Sequence, residues 1–348
     1  MKRTFFLTIM VCAVLGTAFA QSDLQPAAIV RLTKSEPITV KQLRTAVEQL
    51  EQEAGKAMTP AERRQVLDIL INNKLAMQAA ERDGVTVSDG EINQQIQQFR
   101  TALAQNMGRQ PTDAEFELFI RNQTGYDLAT FRTELKQQAT IQRYLVSQKR
   151  DLLENIPSPT DAEVTQTYNL IKARNFVRPH TVRVSVILVP KGTTADERTK
   201  AKELADKLAR DIGSNPSKFD EAVIRANAPS SGYQGGDGGY IPQDIQVQQR
   251  LGLDFANTVF ALRQGEVSKV IETPRGYEII KITETLDEKI LELDDIIEPG
   301  TKVTVKEYLV NTLLQQRQQQ AIDTASHELI TELRKGNTFQ VFENNINW

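Results

Sequence analysis

The stretch SGYQGGDGGY, residues 231 to 240, sets five glycines in ten positions within a chain that otherwise favours helix and charge. Glycine reaches such density where φ must be positive or where another group approaches the main chain closely, and phosphate-cradling loops are the best-known case. No apolar strand runs directly into these glycines, no Gly-Lys-Ser/Thr follows, and Pro242 stands where a phosphate loop would open a helix. That excludes a nucleotide site here. The run is expected to be a loop that serves the elements around it.

Those elements can be read on both sides. TVRVSVILV, residues 181 to 189, alternates and then runs apolar with β-branched residues, the pattern of a strand buried on one or both faces. GYEIIKITE, from Gly276, reads as a second strand. Between them lie a helix over Ala195 to Ile212, a shorter one from Lys218, the glycine loop, and a helical segment carrying Phe255 and Phe260. This β-α-α-loop-α-β block has the size of one domain.

The rest of the chain is helical and clearly punctuated. Thr59-Pro60-Ala61-Glu62, Ser88-Asp89-Gly90-Glu91, Thr112-Asp113-Ala114-Glu115 and Thr160-Asp161-Ala162-Glu163 all place a hydroxyl three residues before a carboxylate, the signature of a capping box. Ile92, Ile96 and Phe99 form one stripe, expected to be core, and a long helix is expected from Leu128 to Leu153. After the block, Thr304 to Glu307 caps a final helix with Leu309, Leu313, Leu329 and Leu333 along it. A lone amphipathic helix must bury its stripe against something, so this helix is expected to pack on the N-terminal helices, which makes the block an insertion.

The first twenty residues read as a secretory signal peptide: Lys2 and Arg3, an apolar run from Phe5 to Leu15, and Ala18-Phe19-Ala20 at the cleavage point. The run is shorter than the roughly 20 apolar residues that span a bilayer, so cleavage after Ala20 and no stable membrane span thereafter are expected. The leader holds Cys12, the chain's one cysteine, so the mature protein has no thiol chemistry. It also holds two of the 42 basic residues and no acid, which leaves 40 against 45, a formal charge of −5 and no electrostatic case for nucleic acid. With only His180 and His327, neither beside suitable companions, no metal site, cofactor or Ser/His/Asp constellation is expected.

Three motifs in order bring a family into view. VRVSVILV (182–189) resembles the opening strand of the parvulin-type peptidyl-prolyl isomerases, GGDGGY (235–240) resembles their GGDLGW/F turn, and DFANTVFALRQGEVSKVIETPRGYEIIKI (254–282) resembles the segment that follows. The resemblance covers about residues 180 to 284. With the leader, a start in IVRLTKSEPITVKQL (29–43) and the closing helix, the whole chain resembles the SurA-like and PrsA-like periplasmic chaperones. The implied fold is α+β: signal peptide 1–20, N-terminal helical chaperone domain 21–178, inserted parvulin-like α/β domain 179–286, and C-terminal helical segment 287–348 packing on the N-terminal domain.

The same resemblance implies where a site would lie. Family members use two buried histidines, a cysteine or aspartate, a hydroxyl and an apolar pocket for the proline ring. In this sequence the histidine positions fall on Val186 and Glu278, the Cys/Asp position on Ala228 and the hydroxyl on Thr273, while Leu251 and Phe255 remain for the substrate pocket. The leucine of GGDLG is Gly238, Phe260 is expected in the core, and Arg275 stands where a small or aromatic residue is common. Gly235, Gly236, Asp237 and Gly239 are read as a structural turn, with Asp237 bonding the loop's own amides. Glu278 is expected to be a solvent-facing or locally paired residue on an edge strand.

The reading that follows is an ATP-independent periplasmic chaperone for unfolded secreted or outer-membrane polypeptides, its parvulin domain stripped of the isomerase network. The alternative is an active isomerase with an altered site on Thr273, Glu278 and the Phe255 pocket. A third reading is a structural partner in an envelope complex.

Overall fold

The structure, a computed structural model, describes residues 23–348 except 214, 227, 229 and 230. The expected leader and its cleavage point lie outside the described residues. In chain order the elements are β1 (Pro26–Val30), β2 (Glu36–Thr39), α1 (Val40–Ala54), α2 (Pro60–Arg82), α3 (Asp89–Met107), α4 (Asp113–Thr124), α5 (Leu128–Gln148), α6 (Arg150–Glu154), α7 (Asp161–Asn175), β3 (Val177–Arg178), β4 (Thr181–Pro190), α8 (Ala195–Ile212), α9 (Pro216–Arg225), β5 (Gln234–Pro242), α10 (Ile245–Leu251), α11 (Leu253–Ala261), β6 (Ile271–Glu272), β7 (Gly276–Leu286), β8 (Lys289–Ile290), α12 (Val305–Leu333) and β9 (Phe339–Val341). Two compact units result, one ending at Ile156 and resuming at Arg317, the other running Pro157–Gln316.

In the first unit the capping boxes form as their sequences require: Thr59, Ser88 and Thr112 each accept from the backbone three residues on, and Glu62, Glu91 and Glu115 reach back to the cap amide. Helix α2 is the centre. Its Leu67, Ile71 and Leu75 pack with Val30, Leu43, Tyr144 and, from far along the chain, Ala325, Leu329 and Leu333 of α12. Strand β9 adds to β1 in a sheet ordered β2-β1-β9. Gln78, buried on α2, accepts from the Leu32 and Thr33 amides and donates to the Lys34 carbonyl and Glu36, so its burial leaves no donor or acceptor unpaired. Ile92 and Ile96 are core, whereas Phe99 is half exposed and meets Phe131 edge-on at 5.9 Å between ring centres. The long helix expected to Leu153 is broken at Lys149, where ψ turns to 33° and α6 begins separately.

The second unit is built on a four-stranded antiparallel sheet, order β5-β4-β7-β6. Alternation along β4 and β7 sends Ile187 and Ile279 to one face, against Phe219 and Ile212, and Val182, Val184, Ile280 and Ile282 to the other, against Val247, Leu251, Phe255 and Val259. Phe260 is partly buried against this second layer, as expected of a core residue. Residues flanking the sheet form a smaller core of Val164, Tyr168, Phe176, Leu291, Val305 and Leu309, pinned by the Tyr168 hydroxyl on the Leu291 carbonyl at 3.0 Å. Residues 157–178 and 287–316 therefore go with this unit, which reaches beyond the expected 179–286 at both ends. The reason is that α7 and the start of α12 bury their stripes against each other.

The glycine run is a correction too. It is an edge strand, not a free loop: Gln234 to Pro242 pairs with β4 throughout. Gly238 falls between the Val184–Gly239 and Ser185–Asp237 pairs as the extra residue of a β-bulge. A Cβ at Gly238 would lie 2.7 Å from Val184 Cγ2, and Gly239 takes a φ of 77°, so both positions need glycine.

Candidate functional site

On the α10–α11 side of the sheet opens a groove of about 480 Å³. Its floor is Val184 and Val186 from β4 with Glu278 and Ile280 from β7; Leu251 and Phe255 from the two short helices form the apolar wall; Asp237, Gly238, Tyr240 and Ile241 from β5 form the other. The bulge at Gly238 removes a side chain that would have pointed at Val184 and Val186. Arg250 and Arg275 complete the rim.

The floor has one polar cluster. Strands β6 and β7 are joined by a two-residue hairpin, Pro274-Arg275, closed by the Thr273 amide on the Gly276 carbonyl at 2.8 Å. Proline fixes φ at the first turn position, and neither turn residue takes a positive φ. Gly276 must be glycine, since a Cβ would sit 2.3 Å from the Val189 carbonyl oxygen. The tight turn brings three side chains together. Buried Thr273 donates through its hydroxyl to Glu278 Oε1 at 2.7 Å, and Arg275 donates to Oε1 at 3.2 Å and to Oε2 at 2.9 Å. Glu278 has no exposed side-chain surface, while that of Arg275 is 54% exposed. A buried carboxylate requires such pairing.

This corrects the expected environment of Glu278. Strand β7 lies between β4 and β6, not at the sheet edge, and the glutamate is fully buried, though its partner is local as anticipated. Of the other positions singled out in the sequence, Val186, Leu251, Phe255 and Glu278 line the groove and Thr273 stands beneath it, bonded to Glu278. Ala228 is not among them: it is exposed in the turn after α9, where its carbonyl accepts from the Ser231 amide. Asp237 accepts from the Gly239 amide at 3.0 Å and from Arg183 at 2.8 Å, which together hold its carboxyl below the usual range, the arginine being the larger cause. Arg183 also lies over the Tyr240 ring, and the Tyr240 hydroxyl donates to Glu284.

This sheet, bulge and groove sit where comparison with known families places a PPIC-type PPIase domain, over residues 168–286, while residues 1–145 match a SurA-like N-terminal domain. The chain carries a SurA-like N-terminal domain and a PPIC-type PPIase domain, and it is similar to SurA and PrsA proteins. A foldase protein PrsA of Clostridium botulinum is 24% identical over 300 residues, covering 84% of this chain and 77% of that protein. A chaperone SurA of Saccharophagus degradans is 27% identical over 296 residues, 81% of this chain and 64% of that longer protein. Among solved structures, a SurA-like chaperone of Campylobacter jejuni aligns with 91% of this chain and all of its own, at 15% identity and a TM-score of 0.41.

Sequence reasoning missed Arg250, Ile241 and Ile280 as groove residues. Ile280 was visible only as a member of the strand from Gly276, and Ile241 only as a residue following the glycine run that reads as a loop. Arg250 stands one position before Leu251 on a helix of seven residues, and nothing in its local pattern separates it from a solvated arginine. No helix among the described residues is long and apolar enough to cross a membrane.

Proposed function

We propose that this chain is an ATP-independent periplasmic chaperone which holds unfolded secreted or outer-membrane polypeptides, and that the groove of its parvulin domain binds peptide without isomerising it. The observation that carries the second half is the state of Glu278. Rotation about a peptide bond faces a barrier of about 18–20 kcal/mol, and a catalyst must offer preorganised polar groups to the twisted amide. Val186 has none to offer. Both oxygens of Glu278 are spent on Thr273 and Arg275 inside the sheet. What remains is an apolar cleft, and Ile245 and Leu253 on the same two helices extend apolar surface into solvent, 62% and 59% exposed.

The chaperone half is supported by the relatives' own descriptions, foldase and chaperone. Its test is aggregation of an unfolded outer-membrane polypeptide diluted from denaturant with the mature full chain at equimolar ratio. Suppression of light scattering is the expected result, and no suppression would count against the reading. The active isomerase is the second reading, favoured by one observation: a hydrogen-bonded hydroxyl–carboxylate pair, Thr273 and Glu278, lies beside the Phe255 wall.

A further inference from the structure

The first unit carries a cleft of about 550 Å³ formed by the end of β2, α1, α2 and the start of α5. Ile38, Ala46, Leu70, Met77 and Tyr126 give it an apolar floor; Ile38 is buried and the other four are partly open. Ala46 and Leu70 lie at the margin of the core around Ile71, so the cleft is where that core reaches the surface. Five charged residues line it, Glu36, Lys41, Lys74, Glu81 and Glu134. Glu36 pairs with Lys34 and Lys74, and Glu81 pairs with Lys34. Lys41 on α1 and Glu134 on α5 make no ion pair among the described residues, with each other or with any third group.

With Lys34 counted, three acids meet three bases, so the cleft draws neither an acidic nor a basic ligand by net charge. Its unspent groups are one donor, on α1, and one acceptor, on α5. They match a neutral ligand that presents acceptors and donors together, and the main chain of an extended polypeptide does so at every residue. Resting on the chaperone reading, we propose that this cleft holds an extended, uncharged stretch of unfolded polypeptide by its backbone. Lys41 donates to a carbonyl of that stretch, Glu134 accepts from an amide, and the side chains between them lie on Leu70, Met77 and Tyr126. Main-chain hydrogen bonds are indifferent to sequence, and the unbranched thioether of Met77 fits side chains of different shape.

The test uses a blocked, uncharged peptide of alternating apolar and polar residues, and its analogue with ester oxygens in place of alternate amide N–H groups. Each is titrated into isotopically labelled full-length mature protein. The parent peptide should shift the Met77 methyl and the Ala46 and Leu70 signals. The ester analogue should bind about three- to tenfold more weakly, as loss of a hydrogen bond to a charged group implies. In Glu134→Ala the two peptides should bind alike, since the acceptor that tells them apart is gone. Lys41→Ala should weaken both, and Thr45→Trp, an exposed position on α1 beside the floor, should block both. Equal binding of peptide and ester by the unaltered protein would overturn the backbone reading. Shifts confined to Val186 and Phe255, with aggregation still suppressed, would overturn this site and leave the chaperone reading standing. No shift anywhere and no suppression would overturn both.

Discussion

At the residue scale the account rests on Glu278 and the arginine that holds it. Arg275 is exposed enough to look dispensable, yet it supplies two of the three hydrogen bonds that satisfy a carboxylate with no solvent contact. Arg275→Ala should destabilise this unit by about 1–3 kcal/mol, the range for leaving a buried acceptor unmet. Adding Glu278→Leu should recover much of it, since an apolar side chain needs no partner. Hydrogen exchange of β6–β7 amides reads both effects; the one tryptophan, Trp348, belongs to the other unit and does not report here. Unchanged protection in Arg275→Ala would show that the ion pair is not what secures Glu278. The motif singled this residue out in the sequence, but its burial was not legible there. A glutamate within GYEIIKITE reads as a break in the alternation, and only the hairpin at Pro274-Arg275 shows that its cation is three residues away.

At the element scale the sequence was most informative where a short-range rule governs. The capping boxes are of this kind, because hydroxyl and carboxylate three residues apart meet whatever the tertiary context. They were read correctly, as were the strands β4 and β7. The glycine strand β5 was not, since glycine has little preference for extended structure and is there because a bulge and a close approach to β4 demand it. The boxes carry a pH dependence. Glu62 is lowered to about 2, chiefly by the Thr59 amide; Glu91 and Glu115 are lowered to about 2, chiefly by Arg143 and Arg109. A carboxylate lowered on folding stabilises above its ordinary value of 4.5 and loses that contribution as the pH falls towards 2. Helical thermal midpoints should hold from neutral pH to about 4.5 and then fall. Glu62→Gln should make the fall shallower while keeping the cap, since Gln42 forms the same box with Thr39 without a charge. An acid limb unchanged in Glu62→Gln would argue against this cause.

At the scale of the whole molecule, chain order matters more than any motif. The first unit closes only when residues beyond Arg317 return to it, bringing Ala325, Leu329 and Leu333 to α2, pairing β9 with β1, and setting the Trp348 ring 5.2 and 5.6 Å from the guanidinium groups of Arg44 and Arg63. An amphipathic helix left over at the end of the sequence announced that return, because it had no other surface to bury. The unit boundaries were less legible, since α7 reads like any other capped helix and its partner, the start of α12, lies some 130 residues later in the chain. The claim that joins these scales is that the parvulin domain keeps its groove and has given up its chemistry. Exchange NMR on a panel of proline peptides with the folded full-length mature protein tests it most directly. The account predicts perturbed peptide resonances with no faster cis–trans interconversion. Acceleration across the panel that is lost in Thr273→Val or Glu278→Gln would contradict it.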